Sequence, residues 1–549
     1  MMLSLRRAAA LVLGLTLTVN ALNYLRDAAL AARFGASPAS DALFSALLLP
    51  AILQQMLVAG TLAPAVVPVY LEVRRTSQAR AWRLIWQALL GVAGGLIPLA
   101  ALAVWQAPAL VNVLFPGFDA ATQVMTVQAM RVFLPGAVCL ILAGLTGALL
   151  NAHEHFVVPA LTPGLGSAAA LALLALQPTA AVSAVALVVA LAMGVQLLFH
   201  LPALLVAARP GRSTAVRQAQ RSGSELVEGL AEVRDPLPTD APVGLSGRAP
   251  WQRVLSLSLP LFAYVSLSQI TTLVERVFAS HLGAGAVARL TLAQKLSSLP
   301  LFLVAGSLAV VIFPRLAALQ VDGAAFRAAL AAALRSALPL LLIGAVWLIS
   351  GSQLLVALLY QHGRFSAQDC ALTATLLQGY ALGLAPAGLG AILLKALHAR
   401  QDVRSPLVVA AVSLACYLAL AALCSRAWGA LGLALALSAT TVISTCLLAL
   451  VLVQRHQALA WRRLLTDLRA LLPAALAALA VGWLIEAWLR PMVGVALPAL
   501  ILRLLALVLA GGSVFFLLAR RAGFAQGDLR AWFARLRGRG PAPVSRSKV

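Results

Sequence analysis

Apolar runs long enough to cross a bilayer recur along the whole chain, separated by short stretches that hold most of its arginines. About fourteen can be drawn, near 8–33, 41–71, 84–106, 124–152, 157–176, 180–206, 254–281, 286–318, 328–350, 371–397, 403–424, 428–453, 466–488 and 495–519. A helix of about 20 apolar residues spans the hydrocarbon core. In lipid every backbone N–H and C=O must be satisfied within the protein, so spans of this kind predict an all-α polytopic membrane protein. Composition agrees: 62% of the 549 residues are hydrophobic and 11% charged, where a soluble domain has about half and a quarter.

The runs group as six, six and two, and the chain repeats itself on the same scale. Val58-Ala59-Gly60-Thr61-Leu62-Ala63 is followed by Pro68, and Val304-Ala305-Gly306-Ser307-Leu308-Ala309, 246 residues on, is followed by Pro314 at the same distance. Leu49-Pro50 precedes the first copy and Leu299-Pro300 the second. Two related six-helix lobes on one chain are the organisation of transporters whose halves rock about a central site. The expected division is 1–206 for the N-terminal lobe, 207–253 for a cytoplasmic linker and 254–453 for the C-terminal lobe. Two additional helices follow over 454–519, then a basic cytoplasmic tail over 520–549. The linker is rich in Pro, Gly, Ser and charge and carries Arg209, Arg212, Arg217, Arg221, Arg234 and Arg248, a composition that does not build a core.

A net charge of +24 would suggest nucleic acid in a soluble protein. Here the arginines fall in alternate connections, which points to topology and to anionic lipid headgroups instead. Arg74, Arg75, Arg80 and Arg83 follow the second run, and Arg455, Arg462 and Arg463 follow the twelfth, whereas 107–123 and 177–179 hold no Lys or Arg. Positive charge marks the cytoplasmic side, so both termini are expected there and the number of spans is even. Met1–Leu15 has the charged start of a signal peptide. Its apolar run continues past any small-x-small stop, so it is read as part of the first span. The five cysteines, Cys139, Cys370, Cys416, Cys424 and Cys446, form no Cys-x-x-Cys pair and suggest neither disulfides nor a metal site. His153-Glu154-His155 sits at a turn and reads as a solvated loop rather than a metal site. There is no P-loop, no nucleophile–His–acid arrangement and no strand-based nucleotide fold. A transporter is expected rather than an enzyme, with no cofactor and no nucleic-acid partner.

Charged groups within the spans are the functional candidates, because an Arg or Asp at the bilayer centre costs roughly 2.5–3.5 kcal/mol. On the first span Thr16, Asn20, Asn23, Arg26, Asp27 and Arg33 share an arc of roughly 140°; the rest is Leu, Val and Ala. Such a stripe faces protein or a wet cavity, although Arg26–Asp27 pairing locally and Asn20 or Asn23 joining two helices are alternatives. The second span carries Asp41, Pro50, Gln54, Gln55 and Gly60, and the proline and glycine predict a bend. On the eighth, Thr291, Gln294, Lys295 and Ser298 share an arc of about 100°. Lys295 is the first candidate for an anionic substrate, its alternative being an ion pair with Glu275 on the seventh span. Glu275 is also the candidate coupling group, with a local Glu275–Arg276 pair as the alternative.

These residues carry a family resemblance. Arg26-Asp27, Arg33-Phe34-Gly35-Ala36 and Ser40-Asp41-Ala42-Leu43-Phe44 resemble the first hairpin of the MurJ/MviN family. Phe115-Pro116-Gly117-Phe118, Leu150-Asn151-Ala152-His153, Leu359-Tyr360-Gln361-His362-Gly363-Arg364-Phe365 and Ala399-Arg400-Gln401-Asp402-Val403-Arg404-Ser405-Pro406 are similar to later family segments, in order, over residues 7 to 519. The resemblance implies a 14-helix, two-lobed fold with a cationic cavity, the last two helices adding a groove for a polyprenyl tail. It implies a substrate that is an undecaprenyl-pyrophosphate-linked saccharide, by default lipid II of peptidoglycan synthesis, flipped across the bacterial inner membrane. Membrane lipids and envelope glycan synthases are the implied partners. The family usually has Arg where this chain has Asn20, often a basic pair at Gln54-Gln55, and Ala-Asp-Arg where this chain reads Ala293-Gln294-Lys295. Arg26, Asp41 and Lys295 carry over. Family members that bind sodium use acidic or amide groups on the seventh and eleventh helices; 403–424 has no Asp or Asn, so that site does not carry over. The less cationic cavity leaves an exopolysaccharide or O-antigen precursor as an alternative cargo. A drug/cation antiporter of the same superfamily and a non-transporting scaffold are the rival functions.

Overall fold

A computed structural model describes residues 5–153, 155–177, 179, 181–207, 250–319, 322–493, 497–521 and 523. The central part of the expected linker, 208–249, and the tail beyond 523 lie outside the described residues, as does Glu154. Among the described residues the chain is helical throughout, with no strand. The first part comprises α1 (Leu5–Phe34), α2 (Pro38–Thr76), α3 (Gln78–Trp105), the short α4 (Ala107–Leu114), α5 (Ala120–Ala152), α6 (Val157–Leu176) and α7 (Val182–Ala207). The second comprises α8 (Pro250–Ser280), α9 (Ala286–Ala318), α10 (Gly323–Ser350), the short α11 (Ser352–Tyr360), α12 (Ala367–Ala381), α13 (Leu384–Ala399), α14 (Arg404–Gln454), α15 (Trp461–Val493) and α16 (Leu497–Arg521).

Among the described residues, nine helices are long and apolar enough on their own to cross a membrane, and α12 with α13 makes a tenth candidate bent by 41°. The 51-residue α14 is two spans. A straight helix of that length would separate its ends by about 75 Å. Instead Arg455 Nη1 donates to Ser405 Oγ at 3.2 Å, and His456 Nε2 lies 2.9 Å from Asp402 Oδ2. The chain turns back at Gly429, whose φ of 56° and ψ of −130° lie outside the range open to other residues. With α1, α8 and α9, each of which carries one of the long apolar runs of the sequence, the helices match the fourteen expected spans.

The bend expected in α2 is a change of helix type. Gln55–Leu62 is π-helical and coincides with the first copy of the repeated phrase, between Pro50 and Pro68, which remove intrahelical donors.

Contacts divide the chain into two compact units: Met1–Asn23, Ala46–Pro108 and Val127–Val265 in one, and Tyr24–Ser45, Ala109–Thr126 and Ser266–Val549 in the other. In the first unit Val66, Val69, Tyr70, Ile85, Leu145 and Leu149 form the core. His200 of α7 joins α5 to α6: one ring nitrogen lies 2.7 Å from Ala143 O and the other 2.7 Å from Thr162 Oγ1. The second unit is built on Leu334, Leu338 and Leu341 of α10 with Leu393 of α13, Leu452 of α14, Leu471 of α15 and Phe515 of α16. The C-terminal end of α1, the start of α2 and the connection through α4 belong to this second unit, and this places Arg26, Asp27 and Asp41 beside α8 and α9.

Candidate functional site

Arg26 and Asp27 are adjacent near the C-terminal end of α1. Arg26 donates from Nε at 3.0 Å and Nη2 at 2.8 Å to Oδ1 of Asp27. The other carboxylate oxygen accepts from Lys295 Nζ, 268 residues away on α9. Asp27 is 1% exposed, Arg26 15% and Lys295 35%, so one buried anion is shared by two partly open cations. The triad carries a net charge of +1, and its open faces are the cationic ones. Lys295 Nζ also lies 5.5 Å from the centroid of the Phe44 ring, an attractive position for an ammonium. The Lys295 carbonyl accepts from Tyr24 Oη at 3.0 Å and from Ser298 Oγ at 2.7 Å, which ties α9 to α1 at this level. Tyr360 is fully buried within electrostatic reach of Asp27.

One step along α9, Gln294 belongs to a second cluster. Glu275 and Arg276, at the end of α8, are 1% and 4% exposed, with Arg276 Nη2 4.0 Å from Glu275 Oε2. Gln294 fills the gap: its Oε1 accepts from Arg276 Nη2 at 2.8 Å, and its Nε2 donates to Glu275 Oε2 at 3.4 Å. Tyr380 Oη of α12 donates to Glu275 Oε1 at 2.6 Å. The alternative ion pair of Lys295 with Glu275 does not form; Lys295 is held by Asp27.

Asp41 is 1% exposed, and its two carboxylate oxygens accept from Gly285 N at 2.6 Å and Ala288 N at 2.7 Å. It caps the N-terminus of α9 from another helix, where carboxylate charge and the helix dipole attract. Beside it Arg289 Nη1 donates to Asp369 Oδ1 at 3.0 Å. One end of α9 is thus fixed by Asp41, and two turns on it presents Gln294 and Lys295.

Asn20, Asn23, Gln54, Gln55 and His153 lie in the first unit. Asn20 spends its amide N–H on Thr16 O at 3.0 Å. Asn23 accepts from Ser167 Oγ at 2.5 Å, the helix-joining use of a half-buried amide. Gln54 and Gln55 sit at the switch from α- to π-helix in α2. His153 lies 2.6 Å by Nε2 from Tyr70 Oη, and burial, with help from Arg74 and His155, pushes its pKa down to about 4.

The sequence reading passed over Asp27 as a shared anion, Arg276 as an underpaired cation, and Tyr380. Their partners lie 100 residues or more away in the first and third cases, and helical periodicity carries no such signal.

A family model described as lipid II flippase MurJ matches residues 30–502. A lipid II flippase MurJ of Burkholderia cenocepacia is 27% identical over 426 residues, covering 74% of this chain and 76% of the relative. A probable lipid II flippase MurJ of Rhizobium meliloti is 27% identical over 528 residues, covering 94% of each. Among solved structures, a lipid II flippase MurJ in an inward closed conformation aligns over 96% of this chain and 100% of its own, with a TM-score of 0.72 and 20% identity. An inward-facing multidrug-resistance transporter of the MATE family aligns over 80% of this chain with a TM-score of 0.62 and 13% identity. At these identities the two structural matches speak for the fold alone.

Proposed function

This chain belongs to the MurJ family of lipid II flippases, and from that premise we propose that it moves lipid II from the inner to the outer leaflet of a bacterial membrane by alternating access. The observation that carries the reading is the Arg26–Asp27–Lys295 triad, two partly open cations held by one buried carboxylate within membrane-spanning helices. Charges in such helices are costly enough to mark a functional site, and a diphosphate is the group on this substrate that needs cations.

In this reading the diphosphate takes the open faces of Arg26 and Lys295. Its oxygens form charge-assisted hydrogen bonds of the kind Asp27 now receives. Asp27 competes for both cations, so the bound headgroup is exchangeable and release does not require breaking an unopposed ion pair. Arg26 supplies a planar fork and Lys295 a mobile point charge. Asn20, Gln54 and Gln55 are assigned to neutral polar lining for the saccharide, Gln294 to the edge of the cationic site, and Asp41 to holding α9 in place through its N-terminus. Glu275, buried against Tyr380 and Arg276, is assigned to coupling. The polyprenyl tail stays in lipid, against a groove contributed by α15 and α16.

We further assign 1–206 and 254–453 to two lobes, 207–253 to a cytoplasmic linker and both termini to the cytoplasmic face, on the arginine distribution. Membrane lipids contact the basic connections. An envelope glycan synthase is the implied partner class, since a flipped lipid-linked saccharide is consumed by polymerisation.

The test is a leaflet-accessibility assay for lipid II in cells depleted of their own flippase and supplied with this protein. Wild type is expected to restore outer-leaflet lipid II, and Arg26→Ala and Lys295→Ala to fail at equal abundance. Restoration by the double variant would remove the site assignment, and failure of the wild type would remove the substrate.

A further inference from the structure

The buried guanidinium of Arg276 is underpaired. Nη1 is inaccessible and has no hydrogen-bond partner among the described residues. Nη2 donates to a neutral amide oxygen, Gln294 Oε1, at 2.8 Å, and its nearest carboxylate oxygen stands off at 4.0 Å. A buried cation is ordinarily bound by a carboxylate with several hydrogen bonds. Glu275 is close enough to do this, yet its carboxylate is turned to Tyr380 Oη at 2.6 Å and to Gln294 Nε2 at 3.4 Å. Gln294 holds the two charges apart with one end of its amide on each.

Arg276 is held from α9, the helix that also carries Lys295. Gln294, which covers it, is half-buried and is the chain neighbour of Lys295 on α9. We take a diphosphate on Lys295 to have a second phosphate group free to reach the neighbouring turn of α9 at Gln294, where a charged acceptor outcompetes a neutral amide oxygen for a guanidinium. The unsatisfied Nη1 gives the same guanidinium a second N–H direction for a bidentate grip.

Resting on the lipid II reading above, we propose that Arg276 is a third cation for the substrate diphosphate, covered by Gln294 in the empty protein and uncovered when the headgroup binds. Glu275 restrains it, and Gln294 prevents a closed ion pair that would take it out of use.

The assignment makes opposite predictions for two neighbouring changes. Purified full-length protein in nanodiscs is titrated with lipid II, with undecaprenyl diphosphate and with undecaprenol, which has no phosphate. Arg276→Gln is expected to weaken binding of both phosphorylated lipids about tenfold or more, the worth of one charge-assisted hydrogen bond. Glu275→Gln removes the competing anion and is expected to tighten both, while undecaprenol binding stays unchanged in each variant. The double variant Glu275→Gln/Arg276→Gln keeps an amide opposite Tyr380 and leaves no unpaired buried charge, so it controls for folding. It too is expected to bind the phosphorylated lipids about tenfold more weakly than wild type.

A purely structural Glu275–Arg276 pair would weaken binding in both single variants and restore it in the double, and that pattern overturns the proposal. Wild-type affinity in Arg276→Gln overturns it as well. A wild-type protein that binds neither phosphorylated lipid fails the parent reading and this assignment with it.

Discussion

Replacing Asp27 by Asn should destabilise the protein more than removing either cation, and deleting Lys295 in the same chain should restore part of the loss. Asp27 accepts two hydrogen bonds from Arg26 and one from Lys295. Lys295→Met removes one of them and leaves a one-to-one ion pair. A charged hydrogen bond contributes about 1.5–3 kcal/mol, and solvent screening of the part-exposed ammonium lowers the expected cost to about 1–2 kcal/mol. Asp27→Asn weakens all three bonds and leaves two cations beside one neutral amide. Both reach the same carboxylate, so they stand within about 7 Å of each other, and at an effective dielectric constant of 20 their repulsion is about 2–3 kcal/mol. The total for Asp27→Asn is then roughly 4–6 kcal/mol. Asp27→Asn/Lys295→Met has no such repulsion and should lie about 2 kcal/mol above Asp27→Asn, a coupling of the size expected for residues in contact. Unfolding in nanodiscs can be followed with a thiol-reactive dye through Cys370, which is 1% exposed in the folded protein. The same Asn variant should bind undecaprenyl diphosphate more tightly and transport less, because the competing anion is gone. If Asp27→Asn is no less stable than Lys295→Met, or the double variant is less stable than Asp27→Asn, the shared-carboxylate account is wrong.

Asp41→Ala strands two buried backbone donors of α9 and should cost about 3 kcal/mol, with Asp41→Asn costing about half because one acceptor remains; chemical unfolding separates the two. Gly283 and Gly285 both have left-handed φ, 86° and 78°, but a Cβ at Gly283 meets nothing within 4 Å whereas at Gly285 it would run into the Ala36 carbonyl. Gly283→Ala should therefore cost about 1–2 kcal/mol and Gly285→Ala roughly 3 kcal/mol or more, read as a difference in melting temperature. Burial opposes ionisation of Asp402, but hydrogen bonds from Ser405 and the partnership with His456 outweigh it and bring its pKa to about 2. A depressed folded pKa means that its stabilisation is complete above the unfolded carboxylate value, about 3.9, and is lost as pH falls towards 2. The stability gap between wild type and Asp402→Asn should close as pH falls below about 4. His153, at about 4, should remain neutral in an NMR titration down to pH 5.

The sequence reveals elements better than partners. Each of the fourteen apolar runs corresponds to a helix or part of one, because length and hydropathy are local properties that lipid imposes on a chain. The hairpin within α14 was legible as two runs, 403–424 and 428–453, although its helical hydrogen bonding runs on past Gly429. The polar stripe of α1 was legible too, but it does not say what each of its residues meets, and the partners differ along its length. Asn20 turns back onto Thr16 of its own helix, Asn23 takes Ser167, and Arg26 and Asp27 meet Lys295. The local Arg26–Asp27 pair of the alternative reading does form, and Lys295 joins it.

The anion is what makes two cations at this depth consistent with a stable empty state. Without Asp27, Arg26 and Lys295 would repel each other by an energy comparable to the cost of embedding either one. With it the triad keeps one net positive charge and two partly open donors. In the site proposed above, loading on one face of a membrane and emptying on the other would need that balance. A fully neutral cluster would not attract a diphosphate, and an unopposed pair of cations would not give it up. Arg26→Gln and Lys295→Met should therefore each abolish loading, whereas Asp27→Asn should load and then stall. Single-turnover flipping with pre-bound lipid separates those two failures, and slow loading in Asp27→Asn would show that the carboxylate does not act as the competitor.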